Sequence, residues 1–323
     1  MNPRAGAPGP DFPPGPRGEI RGAGAAAAGA GLLTTVQAPA PHPSRRRGNP
    51  RRSCHAPPAQ VYGSDSNFVV AAPTASGKTG LVELAMCRNL SRYVAPDGGF
   101  EHQPGASKTV YVAPMKALVQ EKSKAWSERF GKLGVRVLEM TGDSDAATQE
   151  IRAADLILTT PEKLDSVTRK HRERGTVGWV GDISLVVMDE VHILGERRGS
   201  VLEAVVGRLL MLRASGAMRG LPLSGLRLGA VSATVPNAAD VAGWLRCPPD
   251  GLRVYGEEMR PVPLQVRVQS FPEDKRGDFM FERSLARHVV GVLEGQYRVG
   301  GRWQWKPTLV FCSSRKGCSD TAR

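Results

Sequence analysis

The stretch that decides the fold is APTASGKT, at residues 72–79 of a 323-residue chain. It consists of Ala72, Pro73, Thr74, Ala75, Ser76, Gly77, Lys78 and Thr79. The apolar run NFVVAA at 67–72 predicts a strand before it, and the leucine spacing in 80–94 predicts a helix after it. In such a loop the backbone N–H groups point inward and the helix N-terminus adds partial positive charge. The stretch, called the phosphate loop below, therefore predicts phosphate binding in an α/β domain.

The residue types of the phosphate loop suit a nucleoside triphosphate and its metal ion. Gly77 lets the backbone approach the phosphates closely, because it has no Cβ. Lys78 would neutralise the β- and γ-phosphate oxygens during catalysis, and the Thr79 hydroxyl would coordinate Mg²⁺. All eight residues of 72–79 are therefore predicted to bind ATP, with Mg²⁺ as its companion ion.

A second motif, DEVH at 189–192, follows directly on the apolar run LVVM at 185–188. A buried strand would deliver both carboxylates to the carboxyl edge of a parallel sheet, where open α/β sheets bind ligands. We expect Asp189 to hold Mg²⁺ and Glu190 to orient and deprotonate an attacking water. Without the phosphate loop, a surface Asp-Glu pair would be the better interpretation; with it, catalysis is favoured.

Three further residues are candidates for relaying the state of the nucleotide. His192 follows the acidic pair by two residues and would face the same cleft, although a lone histidine after a strand is more often structural. Ser232 and Thr234 belong to the tripeptide Ser-Ala-Thr at the end of a predicted strand. Small hydroxyl side chains there can couple sites through short hydrogen bonds, with His192 as the partner of the tripeptide. The tripeptide alone is a weak signal.

The remaining pattern predicts one α/β domain over residues 59–250. Further strands are predicted at 109–113, 135–141, 155–159, 183–188 and 227–232, with a helix at 115–130. Strands that alternate with helices and are continuously apolar are typical of a parallel sheet covered on both faces. Residues 251–323 are predicted to form a linker and the incomplete start of a second α/β domain, with a helix at 281–294 and a strand at 308–312.

The composition favours an acidic partner. The formal net charge is +13, but residues 1–58 hold eight arginines and two acidic residues, so about half of the excess lies there. This segment is rich in Gly, Pro, Ala and Arg and shows no periodicity, which predicts disorder. Its arginine cluster at 45–52 fits a nuclear address, a phosphate contact, a transit peptide or a solvated tail.

The cysteines and the hydropathy pattern bear on other classes of protein. Five cysteines without a Cys-x-x-Cys pair argue against a disulfide framework or a zinc site. The sequence contains no run of 18 or more strongly apolar residues, so a membrane span is not predicted.

The order of the motifs resembles that of superfamily 2 DExH-box helicases of the Ski-like branch. The blocks are APTASGKT, APMKALVQEK at 113–122, TGD at 141–143, TTPEKLDSVTR at 159–169, DEVHILGERRG at 189–199 and VSATVPNAADVAGWL at 231–245. The last two, with KPTLVFCSSRKG at 306–317, are especially similar to the meiotic crossover-promoting ATP-dependent DNA helicases. The resemblance covers about residues 60–323.

This resemblance implies a RecA-like first domain, the beginning of a second one, and ATP-driven 3′–5′ movement along DNA in the nucleus during meiotic recombination. It also implies that five residues at the sheet edge contact the nucleic-acid backbone: Pro114, Lys116, Thr160, Pro161 and Glu162. A Ski-like RNA helicase, with RNA as the partner, is one alternative. A nucleotide-dependent nucleic-acid-binding module that does not unwind is another.

Two departures from the family pattern bear on activity. Gln60 is the candidate for adenine recognition, but the segment around it is shorter than in the family. The arginine-finger block of the second domain does not occur before Arg323, and such an arginine contributes about a thousandfold or more to turnover. The chain as given is therefore expected to bind ATP with Mg²⁺ weakly, to hydrolyse it poorly and not to unwind.

Overall fold

The computed structural model describes residues 30–37, 61–95, 100–101, 107–142, 148–170, 178–196, 198–272, 278–299, 302–303 and 308–322. In chain order the strands are β1 (Ala30–Gln37), β2 (Phe68–Ala71), β3 (Lys108–Val112), β4 (Val137–Met140), β5 (Leu156–Thr159), β6 (Ile183–Met188), β7 (Arg227–Ser232), β8 (Leu252–Val254), β9 (Gln265–Pro272), β10 (Arg298–Val299) and β11 (Arg302–Trp303). The helices are α1 (Lys78–Leu90), α2 (Lys116–Phe130), α3 (Thr148–Ala153), α4 (Pro161–Lys170), α5 (Gly199–Ala214), α6 (Ala238–Trp244), α7 (Asp278–Tyr297) and α8 (Arg315–Ala322).

Seven of these strands form one sheet in the order β4-β5-β3-β6-β7-β2-β8. Every neighbouring pair in this sheet is parallel. The central strands β2, β3, β5, β6 and β7 are buried at every residue, which explains their continuous apolar sequences. The predicted parallel α/β fold is confirmed.

Helices cover both faces of the sheet. On β6 the side chains alternate: Val186 and Met188 belong to one hydrophobic core, and Leu185 and Val187 belong to the other. The first core also contains Leu202 of α5, whereas the second contains residues of α1 and α2. The sheet is therefore the middle of three layers. Because helices cover its faces, we look for a ligand site at the ends of its strands.

Several element boundaries differ from those predicted. The helix predicted at 80–94 begins two residues earlier, because its first turn belongs to the phosphate loop, and a 3₁₀ turn at Ser91–Tyr93 follows its end at Leu90. The strand predicted at 135–141 is limited to Val137–Met140. The edge strand β8 lies after residue 250, where we expected the first domain to end; its three residues are too few to show a pattern.

The backbone divides into two compact units, Ala38–Leu264 and Met1–Gln37 with Gln265–Arg323. In the second unit, β1 pairs antiparallel with β9. Residues 30–37 lie within the segment predicted to be disordered, and their structure differs from that prediction. Their sequence AGLLTTVQ contains β-branched residues that favour a strand, a signal concealed by the surrounding Gly and Ala. The other residues of 1–58 lie outside the described residues.

The predicted strand at 308–312 is not observed: these residues have no regular structure. Leu309 is 83% exposed and Phe311 is 91% exposed. Within the described part of the chain no strand pairs with them, and an extended segment without a hydrogen-bonded neighbour does not form a β-ladder. The predicted helix at 281–294 lies within α7.

Candidate nucleotide-binding site

The candidate site lies at the carboxyl edge of the seven-stranded sheet. Because all seven strands are parallel, the segments that follow β2, β3, β5, β6 and β7 leave the sheet at this same edge. Backbone hydrogen bonds join them: the Ala72 N–H donates to the Ser232 carbonyl over 3.1 Å, and the Asp189 N–H donates to the Val112 carbonyl over 2.8 Å. The sheet thus brings the phosphate loop, the acidic pair and the Ser-Ala-Thr tripeptide together.

The phosphate loop ends in a left-handed turn that opens helix α1. Gly77 is the N-cap residue with φ 96° and ψ 19°, and no side chain caps the helix. Ala75 also has a positive φ of 66°. An uncapped helix N-terminus leaves its first N–H groups available to an anion. A residue with a Cβ at Gly77 would be strained, so glycine is required by the backbone conformation.

The side chain of Lys78 is directed back toward the first residues of the phosphate loop. Its ammonium donates to the carbonyl of Ala72 over 2.9 Å and to that of Pro73 over 3.2 Å. The ammonium is therefore held at the start of the phosphate loop, where it contacts two loop carbonyls. This geometry fits a phosphate group, which would give the ammonium an anionic acceptor in addition to these neutral carbonyls.

The two carboxylates that follow β6 are held differently. Both oxygens of Asp189 accept hydrogen bonds: Oδ1 from the Glu190 N–H over 2.9 Å and Oδ2 from the Tyr111 hydroxyl. Glu190 adopts a left-handed conformation, with φ 53° and ψ 47°. Its Oε2 is buried and makes no hydrogen bond among the described residues, although His192 Nδ1 lies 3.3 Å away. A strained backbone that carries an unsatisfied carboxylate is typical of a functional residue.

Tyr111 is a member of this site that the sequence analysis did not identify. It lies on β3, next to β6, and only 1% of its surface is exposed. Burial raises the pKa of the Tyr111 phenol, and the neighbouring charges of Asp189 and Glu190 raise it further. Its hydroxyl therefore keeps its proton and donates a hydrogen bond to Asp189. The available signal was a tyrosine inside a buried strand, since a buried phenol needs a hydrogen-bond partner.

The donor set at this edge fits magnesium. Among the residues that the structure describes, no group of three or more His, Cys, Asp or Glu side chains forms a metal cage. Mg²⁺ does not need one, because it binds through one or two carboxylates, water and substrate phosphates. Asp189 and the Thr79 hydroxyl would supply the protein ligands, as predicted from the motifs.

The coupling candidates lie beside a cavity at the ends of β6 and β7. Ser232 is 3% exposed, and its Oγ makes no hydrogen bond among the described residues. Ser232 and His192 both line this cavity of about 310 Å³, together with Val235 and Asn237. Thr234 is exposed and is not among the lining residues. The carbonyl of Ser232 also accepts the hydrogen bond of the Ala72 N–H in the phosphate loop.

The nucleic-acid candidates divide into exposed and buried groups. Lys116 is exposed at the first residue of α2, with Pro114 half-buried before it. Thr160 and Pro161 are buried at the start of α4. Glu162 forms an ion pair with Arg198, whose Nε lies 2.8 Å from Oε1.

Arg198 is thus a cation at this edge that the sequence analysis did not single out, although it lies within the DEVHILGERRG block. The adenine candidate Gln60 lies outside the described residues. The individual roles of all these residues stay predictions.

The DEAD/DEAH box helicase family matches residues 56–241, more than half of the chain. The chain belongs to this family. An ATP-dependent DNA helicase MER3 homolog of Oryza sativa subsp. japonica is 48% identical over 261 residues, which cover 80% of this chain and 21% of that protein. The ATP-dependent DNA helicase homolog MER3 of Arabidopsis thaliana is 46% identical over 263 residues, covering 81% of this chain and 23% of that protein.

These similarities confirm the predicted superfamily 2, Ski-like membership of this DEAD/DEAH helicase chain, and with it an ATP-binding helicase domain. The chain spans about a fifth of the length of these relatives. The solved structure of the DUF1998 helicase MrfA has the same fold, with a TM-score of 0.53 at 18% identity; the match covers 85% of this chain and 38% of that one. Within the described residues, no helix is both long and apolar enough to cross a membrane.

Proposed function

We propose that this chain carries the ATP-binding part of an ATP-dependent 3′–5′ DNA helicase that acts in meiotic recombination in the nucleus. The observation that carries the proposal is the convergence at one sheet edge of three features: the uncapped loop with Lys78, the hydrogen-bonded Asp189 and the unsatisfied carboxylate of Glu190. Each has a separate task in phosphoryl transfer.

In this proposal the chain positions the reactants and moves one proton. The phosphate loop N–H groups and Lys78 bind the β- and γ-phosphates of ATP. Asp189 and Thr79 hold Mg²⁺, which supplies positive charge against the negative charge of the transferring phosphoryl group. Glu190 Oε2, free of other hydrogen bonds among the described residues, accepts the proton of the water that attacks the γ-phosphate.

Release of phosphate would then be relayed through the backbone. The Ala72–Ser232 hydrogen bond joins the phosphate loop to the strand that ends in Ser-Ala-Thr. A shift of the loop would move Ser232 and the cavity that it shares with His192. We propose that this movement couples the state of the bound nucleotide to nucleic-acid binding at Lys116 and at the start of α4.

DNA is the proposed substrate because both plant relatives are named as DNA helicases. The exposed cations at the carboxyl edge, Lys116 and Arg198, suit a phosphate backbone of either nucleic acid. They therefore support binding but do not distinguish DNA from RNA.

The test compares nucleotide turnover with DNA and with RNA. In a protein that also contains the second domain, Lys78→Ala should abolish ATP hydrolysis, whereas Lys132→Ala, an exposed lysine after α2, should leave it unchanged. Lys116→Ala should reduce stimulation by single-stranded DNA, and Lys124→Ala on the same helix serves as its control. Stronger stimulation and unwinding with RNA would favour an RNA helicase. Nucleotide-dependent binding without strand separation, in a protein that also contains the second domain, would favour a binding module.

A further inference from the structure

Tyr111 lies on β3, next to β6, and its side chain packs on the sheet face that α1 and α2 cover. Tyr111 is in register with Val187 of β6, two residues before Asp189. Its hydroxyl extends past this position and donates to Asp189 Oδ2. Tyr111 therefore contacts, from the neighbouring strand β3, the carboxylate that we assign to the metal ion.

The ring of Tyr111 packs against a second buried aromatic side chain. It packs edge-on against Trp126 of α2, with ring centroids 4.8 Å apart and an interplanar angle of 80°. Trp126 is 1% exposed, and its Nε1 donates to Glu83 Oε1 over 2.9 Å. Glu83 lies on α1, the helix that begins at the phosphate loop. A line of contacts thus joins that helix to the Asp189 carboxylate through two buried aromatic rings.

The hydrogen bonds of Asp189 determine which way its remaining lone pairs point. A carboxylate offers about four lone-pair sites, and the Glu190 N–H and the Tyr111 hydroxyl use one on each oxygen. The carboxylate is therefore held at both ends and cannot rotate about its Cβ–Cγ bond without breaking a contact. Mg²⁺ demands near-ideal octahedral geometry, so a ligand that rotates freely binds it less well.

We propose that Tyr111 is a positioning residue, which holds the Asp189 carboxylate in the orientation that its metal ion requires. This inference rests on the proposed function, because it takes Asp189 as the metal ligand. Hydrogen-bond partners of metal ligands typically contribute about 10- to 100-fold to metal affinity. Tyr111 reaches no substrate atom in this scheme and acts only through Asp189.

The alternative is that Tyr111 only fills the core. It belongs to the hydrophobic cluster that contains Trp126 and Leu185, and in that role its hydroxyl would contribute stability alone. Tyr111→Phe separates the two roles, because it keeps the ring and its packing against Trp126 but removes the donor to Asp189. A purely structural hydroxyl would change the free energy of unfolding and leave metal binding unaltered.

The experiment measures Mn²⁺ affinity of the ADP-bound protein by electron paramagnetic resonance, with Mn²⁺ as the probe for the Mg²⁺ site. Tyr111→Phe should weaken this affinity about 10-fold or more, while ADP affinity in the absence of metal stays unchanged. Hydrolysis by this variant should recover at high Mg²⁺ concentration. Tyr93→Phe is the matched control: its hydroxyl accepts from the Ser107 N–H, away from the acidic pair, and its loss should leave the Mn²⁺ affinity at the parent value.

Asp189→Asn distinguishes the failure of this inference from the failure of the proposed site. If Asp189→Asn loses Mn²⁺ affinity and folded Tyr111→Phe retains it, the positioning role is overturned and the proposed site stands. If Asp189→Asn also retains it, the metal assignment is wrong and the inference is overturned with it. Weakened affinity in both variants, with an unchanged Tyr93→Phe control, supports the inference.

Discussion

The carboxyl and amino ends of the strands in the seven-stranded sheet, called its carboxyl and amino edges here, differ in how their buried polar side chains are hydrogen-bonded. At the carboxyl edge, Glu190 Oε2 and Ser232 Oγ are buried without hydrogen bonds among the described residues, and Gly77 and Glu190 have positive φ angles. At the amino edge, the Arg227 guanidinium donates to the Ser66 and Val61 carbonyls, each over 2.8 Å.

Two other buried polar side chains at the amino edge are hydrogen-bonded as well, whereas Ser107 Oγ, before β3, makes no hydrogen bond among the described residues. Lys108 donates to the carbonyls of Arg152 and Ala154 over 2.7 Å each. The Asn67 side chain donates to the Leu245 carbonyl and accepts from the Leu228 N–H. Satisfied buried polar groups specify the fold, whereas unsatisfied ones at the opposite edge are available for a ligand. The comparison teaches that the buried charged side chains of the amino edge are hydrogen-bonded to carbonyls, whereas Glu190 Oε2 at the carboxyl edge is not hydrogen-bonded among the described residues.

The largest expected effect tests the carboxyl edge. In a protein that also contains the second domain, Glu190→Gln should lower ATP turnover about 10²- to 10⁴-fold, because an amide cannot accept the proton of the attacking water. The free energy of unfolding should change by less than about 1 kcal/mol, since Oε2 makes no hydrogen bond in the described part of the chain and its contact with His192 Nδ1 is partly exposed. Phosphate release and urea unfolding measure the two quantities. Glu203→Gln, an exposed position on α5, is the control. Normal turnover in Glu190→Gln would remove the base assignment.

The next effect tests the amino edge. Arg227→Met should lower the free energy of unfolding by about 1–3 kcal/mol, because the buried Val61 carbonyl loses its donor, and the cation 4.9 Å from the Phe68 ring centroid is lost as well. Urea unfolding measures this change. ATP affinity of the folded variant should equal that of the parent protein. Arg219→Met, at an exposed position, is the control. A parallel loss of ATP affinity would show that the edges are not independent.

A pair of buried serines compares the edges directly. Ser184→Ala should cost about 1 kcal/mol of unfolding free energy, because its hydroxyl donates to Asn89 Oδ1 over 3.0 Å. Ser232→Ala should cost less than about 0.5 kcal/mol, or stabilise slightly, because its hydroxyl has no such partner. Thermal unfolding of both variants checks this order. Equal costs would contradict the division between the edges.

The smallest effect concerns pH at the amino edge. Asp65 lies 3.3 Å from Arg88 Nε and 2.6 Å from Arg92 Nη2. The hydrogen bond from Arg88, with the charge of Arg92, holds the pKa of Asp65 below its usual range. A lowered pKa gives stability that is present above the unfolded value of 3.8 and is lost as pH falls through the folded pKa.

Asp65→Asn should therefore cost less than about 1 kcal/mol at pH 7, because the carboxylate is half exposed. The difference from the parent protein should shrink in acid and at high salt. Unfolding titrations at pH 7 and at acidic pH test this. A difference that grows in acid would have the wrong sign and would remove the ion pair as its cause.

The sequence predicted those parts of the fold that consist of long apolar segments. Strand β6 has its predicted bounds because each of its residues is buried, so no residue breaks the pattern. Strand β8 was not predicted, since three residues at a sheet edge carry no period. The segment 308–312 has the composition of a strand but no strand partner in the described part of the chain. Composition thus indicates the tendency to form a strand, and pairing decides whether one forms.

The candidate site shows the same division. The motifs by themselves determined that this is a helicase domain, and they predicted that residues 72–79 and 189–192 form its nucleotide site, because a glycine turn, a lysine and adjacent carboxylates are local requirements of phosphate chemistry. Only the tertiary structure brought Tyr111 to Asp189, Arg198 to Glu162 and Ser232 to Ala72. These contacts join residues that are far apart in the chain, and the order of parallel strands, which no local pattern encodes, decides which of them meet.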